Sequence, residues 1–276
     1  VSPAPGTPRG AAPGSTAAQA ESPEVGDAFG ACLLACWEAG ARPWTALELI
    51  ERDDGFLDGA DAARYFTPPE GWDRLDHWAC DQARGRVLDV GAGAGRATLH
   101  LQETGREAVA LDVSPLALEV CRRRGVRQTV AGTVADLAAQ EAPGGPAFDA
   151  FVLLGNNLGL LGGVTEAPRF LGTLAALATP GAVLLGRGMD PYHTTSPEHL
   201  AYHERNRARG RLPGQIRMRV RYRGLATPWF DYLFATPDEL APLLARTAWR
   251  LEHVEREVDE SGAQGAGYVA LMRCTG

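Results

Sequence analysis

Short apolar runs alternate with amphipathic stretches through the middle of the chain. The runs at 86–90, 107–111, 127–131, 149–154 and 182–186 have strand length and are too continuous for a sheet with one wet face. Helical spacing fills 95–104, 115–124 and 166–178. The second of these helices is fully punctuated, with Ser114 as N-cap, Pro115 at the first helical position and Gly125 after the last turn. Two further runs, 249–257 and 266–273, read as strands joined by "DESGAQG". This order predicts an α/β fold, Rossmann-like, with a mostly parallel seven-stranded sheet and helices on both faces.

The flanks follow other patterns. Residues 1–22 are rich in Ala, Pro, Gly and Ser without apolar period and read as a disordered tail. From Ala28 to Ile50 apolar residues recur at helical spacing, broken at Pro43; a turn at Pro68-Pro69 and a helix ending at Gly85 follow. Residues 23–83 are therefore expected to form a helical N-terminal cap on a domain spanning 84–276. After the fifth strand, residues 190–235 interrupt the alternation with a loop, a helix and a β-hairpin insertion around a Gly-containing turn. "TPDEL" then opens a helix with a capping box, Thr236 as N-cap and Glu239 reaching back.

Composition narrows the chemistry. A net charge of −7 does not indicate nucleic-acid or membrane affinity. All 27 basic residues are arginine, which excludes Schiff-base and P-loop lysines. The five cysteines lack paired metal spacing and read as reduced thiols; no metal site is expected. "ACLLACW" is too short to span a bilayer, so the expectation is a cytoplasmic protein without membrane attachment.

The chemistry concentrates in "VLDVGAGAGRATLH", residues 87–100. Its glycines are Gly91, Gly93 and Gly95, and Arg96 stands where a dinucleotide fingerprint needs its third glycine. Asp89, inside the strand, suits a cationic or zwitterionic ligand better than a pyrophosphate. Asp112 closes the second strand, where a carboxylate can take both ribose hydroxyls. Together Asp89, the three glycines and Asp112 resemble the class I S-adenosylmethionine-dependent methyltransferases, over about residues 84–190. The resemblance implies S-adenosyl-L-methionine as cofactor, with the glycine turn against its methionine half and Asp112 on its ribose. By the same resemblance Ala92, Val113, Thr133, Val134, Leu154 and Gly155 complete the cofactor site. The adenine is left to the backbone of Thr133 and Val134, or to Asp136.

Loops beyond the carboxyl ends of the strands supply acceptor candidates. Asn156 and Asn157 follow the fourth strand and are read either as substrate and catalytic amides or as plain turn residues. Asp190 and His193 follow the fifth, with His193 a general base or a solvated loop residue. Tyr65 of the cap is a further substrate candidate. His199 and His203 share helical metal-ligand spacing, but a solvated helix face is favoured. Arg217, Arg219, Arg221 and Arg223 share one strand face, an anion grip or, preferably, a solvated surface. The expected function is methylation of an O or N atom of a small molecule, of the kind secondary metabolism uses. The rivals are an RNA or protein methyltransferase using the arginine strip, a catalytically silent cofactor-binding subunit, and transfer of another part of the cofactor. Monomer and homodimer both remain open.

Overall fold

A computed structural model describes residues 22–140, 147–258 and 262–275. The chain begins with β1 (Glu24–Val25), α1 (Ala28–Glu38), and a hairpin of β2 (Leu47–Arg52) and β3 (Leu57–Asp61). Two 3-10 turns, Ala62–Phe66 and Pro69–Gly71, lead into α2 (Arg74–Gln82). Next come β4 (Arg86–Val90), α3 (Arg96–Glu103), β5 (Glu107–Asp112), α4 (Pro115–Arg124), β6 (Thr129–Ala131) and α5 (Val134–Gln140). They are followed by β7 (Phe148–Leu153), a 3-10 turn Asn157–Leu161, α6 (Ala167–Ala176) and β8 (Ala178–Met189). The chain continues with α7 (Pro197–Ala208), β9 (Gln215–Tyr222), β10 (Leu225–Ala226) and β11 (Phe230–Leu233). It closes with α8 (Pro237–Leu244), β12 (Trp249–Val258) and β13 (Gln264–Cys274).

Seven strands form the core sheet in the order β12-β13-β8-β7-β4-β5-β6. β8, β7, β4, β5 and β6 run parallel, and β13 joins β8 antiparallel. Alternate residues feed two cores. Leu88 and Val90 of β4 pack with α5, α6 and α8, while Val87 faces α2 and α3. The strand order reverses between β4 and β7, so the crevice for a ligand opens above their carboxyl ends.

The cap differs from its expectation. Where a helical preface was expected over 23–83, β2 and β3 form a hairpin through the "DDG" turn at 53–55, with Gly55 at φ +88°. Helical spacing misled here because β2 turns polar residues inward: Glu48 and Arg52 are buried and Leu47 and Leu49 exposed. Nor does the insertion stand as a separate hairpin. β2 pairs with β9, and β1, β10 and β11 complete a six-stranded second sheet that joins the cap to the insertion.

Smaller differences have local causes. α5 was not expected; Thr133 starts it by exchanging hydrogen bonds with Asp136. β8 begins four residues earlier than its apolar run, through Pro180 and Gly181. The capping box of α8 and the Ser114–Pro115–Gly125 punctuation of α4 form as read. The tail expected over 1–22 lies, apart from Ser22, outside the described residues. Among the described residues, no helix is long and apolar enough to cross a membrane.

Candidate active site

The glycine turn between β4 and α3 is held in shape from three sides. Gly91, Gly93 and Gly95 all have left-handed φ, at +72°, +55° and +76°, a backbone that glycine adopts without strain. A Cβ on Gly95 would stand 2.8 Å from Val126 Cγ2 and 2.9 Å from the Cys121 sulfur, so Gly95 permits the close approach of the turn to α4 and its exit. Arg96 does not crowd it: the side chain lies over the Trp72 ring at 4.5 Å and pairs with Asp76 at 2.6 Å.

Both expected acidic residues are buried and engaged. Asp89 Oδ2 accepts from the backbone N–H of Thr98 at 3.1 Å and from its hydroxyl at 2.6 Å. Burial pushes the Asp89 carboxyl up to about 6, against the pull of those bonds and of Arg96. Asp112 accepts the Gly93 N–H on one oxygen (2.8 Å) and the Ser114 N–H on the other (2.9 Å). Burial raises its pKa too. Next to it Val113 is 67% exposed, an apolar surface facing open space beside the carboxylate. Thr133 gives its N–H to Asp136, which leaves that N–H turned into the helix cap. Val134 and Leu154 are buried, and Gly155 is exposed at φ +64°.

At the end of β7 the two asparagines part company. Asn157 donates its amide to the carbonyls of Gly91 (2.8 Å) and Val90 (3.2 Å), which locks the switch point and makes it a positioning residue for the turn. Asn156 sits at φ +70°, and its carbonyl accepts from the Tyr232 hydroxyl at 2.6 Å. Asp190 accepts the Tyr192 N–H as a turn cap, and His193 is exposed. His199 packs on Phe56, and His203 is buried against Tyr192, so the expected solvated helix face is not what α7 presents.

α1 roofs the turn. Asp27 caps α1 at Gly30 and also accepts from the Ser114 hydroxyl (2.8 Å) and the Leu116 N–H (3.1 Å). This latch brings the Phe29 ring to 3.6 Å from where a Gly93 Cβ would stand. Tyr65 meets Phe29 edge-on at 5.3 Å and donates its hydroxyl to Glu48, which also takes Arg64 at 2.7 Å. Sequence reasoning missed Glu48, Arg64 and Asp27. The signal for Glu48 was its place in a strand whose inner face is polar, and that needed the second sheet to be seen.

Among the described residues, Arg217, Arg219 and Arg221 of the strip form ion pairs, and Arg223 is exposed and lies over the Tyr222 ring. Arg219 and Arg221 share Glu51, Arg217 pairs with Asp231, and Arg219 also lies over Trp229 at 4.6 Å. This face is neither an open anion grip nor simply solvated.

Comparison with known proteins adds the following. Residues 87–181 match a family model described as a methyltransferase domain. Over 64 residues the chain is 45% identical to uncharacterized methyltransferases of Mycobacterium bovis and Mycobacterium tuberculosis. That match spans 23% of this chain and 24% of the length of those relatives. The fold is shared with a SAM-dependent methyltransferase from Bacteroides fragilis in complex with S-adenosyl-L-homocysteine. That pair is 23% identical with a TM-score of 0.71, covering 89% of this chain and 94% of that one. The CcbJ methyltransferase from Streptomyces caelestis has the same fold at 16% identity and a TM-score of 0.54, over 77% of this chain and 92% of its own.

Proposed function

We propose that the chain is a class I S-adenosylmethionine-dependent methyltransferase and that it methylates an O or N atom of a small molecule. The observation that carries this is the packing beside the strand ends: Asp27 ties α1 to the start of α4, and the Tyr232 hydroxyl donates to the Asn156 carbonyl after β7. A site flanked by packed elements of its own chain suits a small acceptor better than a polymer.

The residues fit the cofactor. A Cβ on Gly91 would meet the Asn157 amide at 2.6 Å, so glycine there makes room for the Asn157 clamp that fixes the turn. An ionised carboxylate has about four acceptor positions, and backbone N–H groups take two on Asp112, which leaves two for ribose hydroxyls. Val113 offers the adenine an apolar face, and Asp89 a negative charge near the methionine end. When bound, the cofactor supplies an activated methyl on a positively charged sulfur. What the chain contributes is alignment, worth up to roughly 7–11 kcal/mol when reacting atoms are held in line. Asn157 and Asp112 serve that end by fixing the turn. His193 stays a candidate base and Asp190 a candidate substrate contact, from a loop at the edge of the site.

A nucleic-acid acceptor is disfavoured because the chain's net charge is −7 and Glu51 and Asp231 engage three arginines of the strip. The test is incubation with methyl-labelled donor and a metabolite extract, with parallel additions of RNA and protein. Label in a dialysable product is expected. Label held by RNA or protein, or cofactor binding with no turnover, would sink the proposal.

A further inference from the structure

Resting on that reading, we propose that Arg124 is a positioning residue that couples the cap to the cofactor turn. It ends α4 as the last of three consecutive arginines, all placed to complement the negative end of the helix. Two of them stay at the surface: Arg122 and Arg123 pair with Glu119, and Arg123 also with Glu38. Arg124 forms no ion pair among the described residues. Its guanidinium donates from Nη1 to the Ala94 carbonyl at 2.6 Å, inside the glycine turn. A half-buried cation that takes a carbonyl where its neighbours take carboxylates is not explained by the helix end alone, which serves all three alike.

One face of α4 grips the turn. The Cys121 thiol, one helical turn before Arg124, donates to the Gly93 carbonyl at 3.1 Å, and Arg124 takes the next carbonyl along. The Ala94–Gly95 peptide is thereby held at both ends, since its N–H donates to the Ala92 carbonyl at 2.8 Å. From that peptide the backbone passes through Gly95, at φ +76°, into α3. The same guanidinium lies over the Phe66 ring, 5.2 Å from its centroid. Phe66 ends the 3-10 turn of the cap and stacks on Trp37 of α1, with centroids 6.0 Å apart and planes 17° from parallel. A planar guanidinium is oriented by the ring it lies on, so Phe66 sets the direction in which the Arg124 donor points. Asn157 and Asp112 hold the turn from the sheet, and Arg124 ties its shape to the cap. A ligand pays less ordering cost against peptides that are already fixed, so the contact is expressed in cofactor affinity.

The test is calorimetry with S-adenosylhomocysteine, paired with a urea midpoint for each protein. Arg124→Met keeps the apolar stem and loses the donor, so affinity should fall about tenfold, the worth of one hydrogen bond to a charged group. Arg124→Lys keeps a donor and should recover most of that loss. Arg123→Met, in the same helical turn, should bind as wild type does. Phe66→Leu should weaken binding about threefold, and adding it to Arg124→Met should cost little more, because the ring acts through the guanidinium. Wild-type affinity in Arg124→Met overturns the proposal, even where its urea midpoint falls, because Arg124 then serves packing alone. A loss that Arg124→Lys repeats in full, or that Arg123→Met shares, overturns it too, as do fully additive losses in the double variant. Should Arg124→Met not fold, Phe66→Leu decides, since unchanged affinity there breaks the coupling. Wild-type protein that binds no S-adenosylhomocysteine removes the methyltransferase reading as well, whereas binding indifferent to these substitutions removes the role of Arg124 alone.

Discussion

Asp89 shows at the scale of one residue how burial ties the cofactor site to pH. Its folded pKa, about 6, exceeds the ordinary 3.8, so the folded protein holds this proton more tightly than the unfolded chain does. The stability this contributes is complete below 3.8 and is lost as pH rises to about 6. Asp89→Asn keeps an acceptor for Thr98 but does not titrate. Its stability difference from wild type, read from urea midpoints, should therefore change across that window and be flat above it. Ligand binding takes the opposite sign. A cationic amino group beside Asp89 favours the ionised carboxylate, so wild-type affinity for S-adenosylhomocysteine should rise with pH up to about 6 and then level off. Calorimetry showing pH-independent affinity over that range would place the amino group elsewhere.

Among the elements, β9 carries arginines that look alike in sequence and differ in setting. The Arg219 side chain is 17% exposed, shares Glu51 and covers Trp229; that of Arg217 is 46% exposed and, among the described residues, pairs only with Asp231. Arg219→Gln should cost about 1 kcal/mol, as a half-buried pair and a cation–π contact are lost together. Arg217→Gln should stay within about 0.5 kcal/mol. Chemical denaturation compares them, and equal costs would mean that Glu51 and Trp229 contribute nothing. Because Glu51 lies on β2, the same pairing fastens the cap to the insertion.

At the scale of the whole molecule, the two sheets act as a core and a roof with Asp27 as a fastening. Its carboxylate holds α1 to the start of α4, one turn from the carboxylate assigned to the ribose. Asp27→Ala should raise the dissociation rate of S-adenosylhomocysteine by about tenfold, the loss of a charge-assisted hydrogen bond from the closed state. Stopped-flow displacement measures it, and an unchanged rate would show that the roof does not gate the ligand.

What the sequence by itself determined is whatever depends on neighbours along the chain. The parallel strands, the caps of α4 and α8 and the glycine turn with Asp89 and Asp112 were legible, because period, capping and turn chemistry act within a few residues. The tertiary structure decided the rest. Asn157 reaches Gly91 across 66 residues of chain, and no local pattern marks it as a clamp rather than a reacting group. Glu48 sits in a stretch that reads as helix until β9 arrives to pair with it, 170 residues on, and turns its carboxylate inward. The arginines of β9 form an alternating basic strip in one dimension and an ion-paired face in three, because Glu51 comes from a distant strand. A strand's faces acquire an inside and an outside only when a second layer covers one of them.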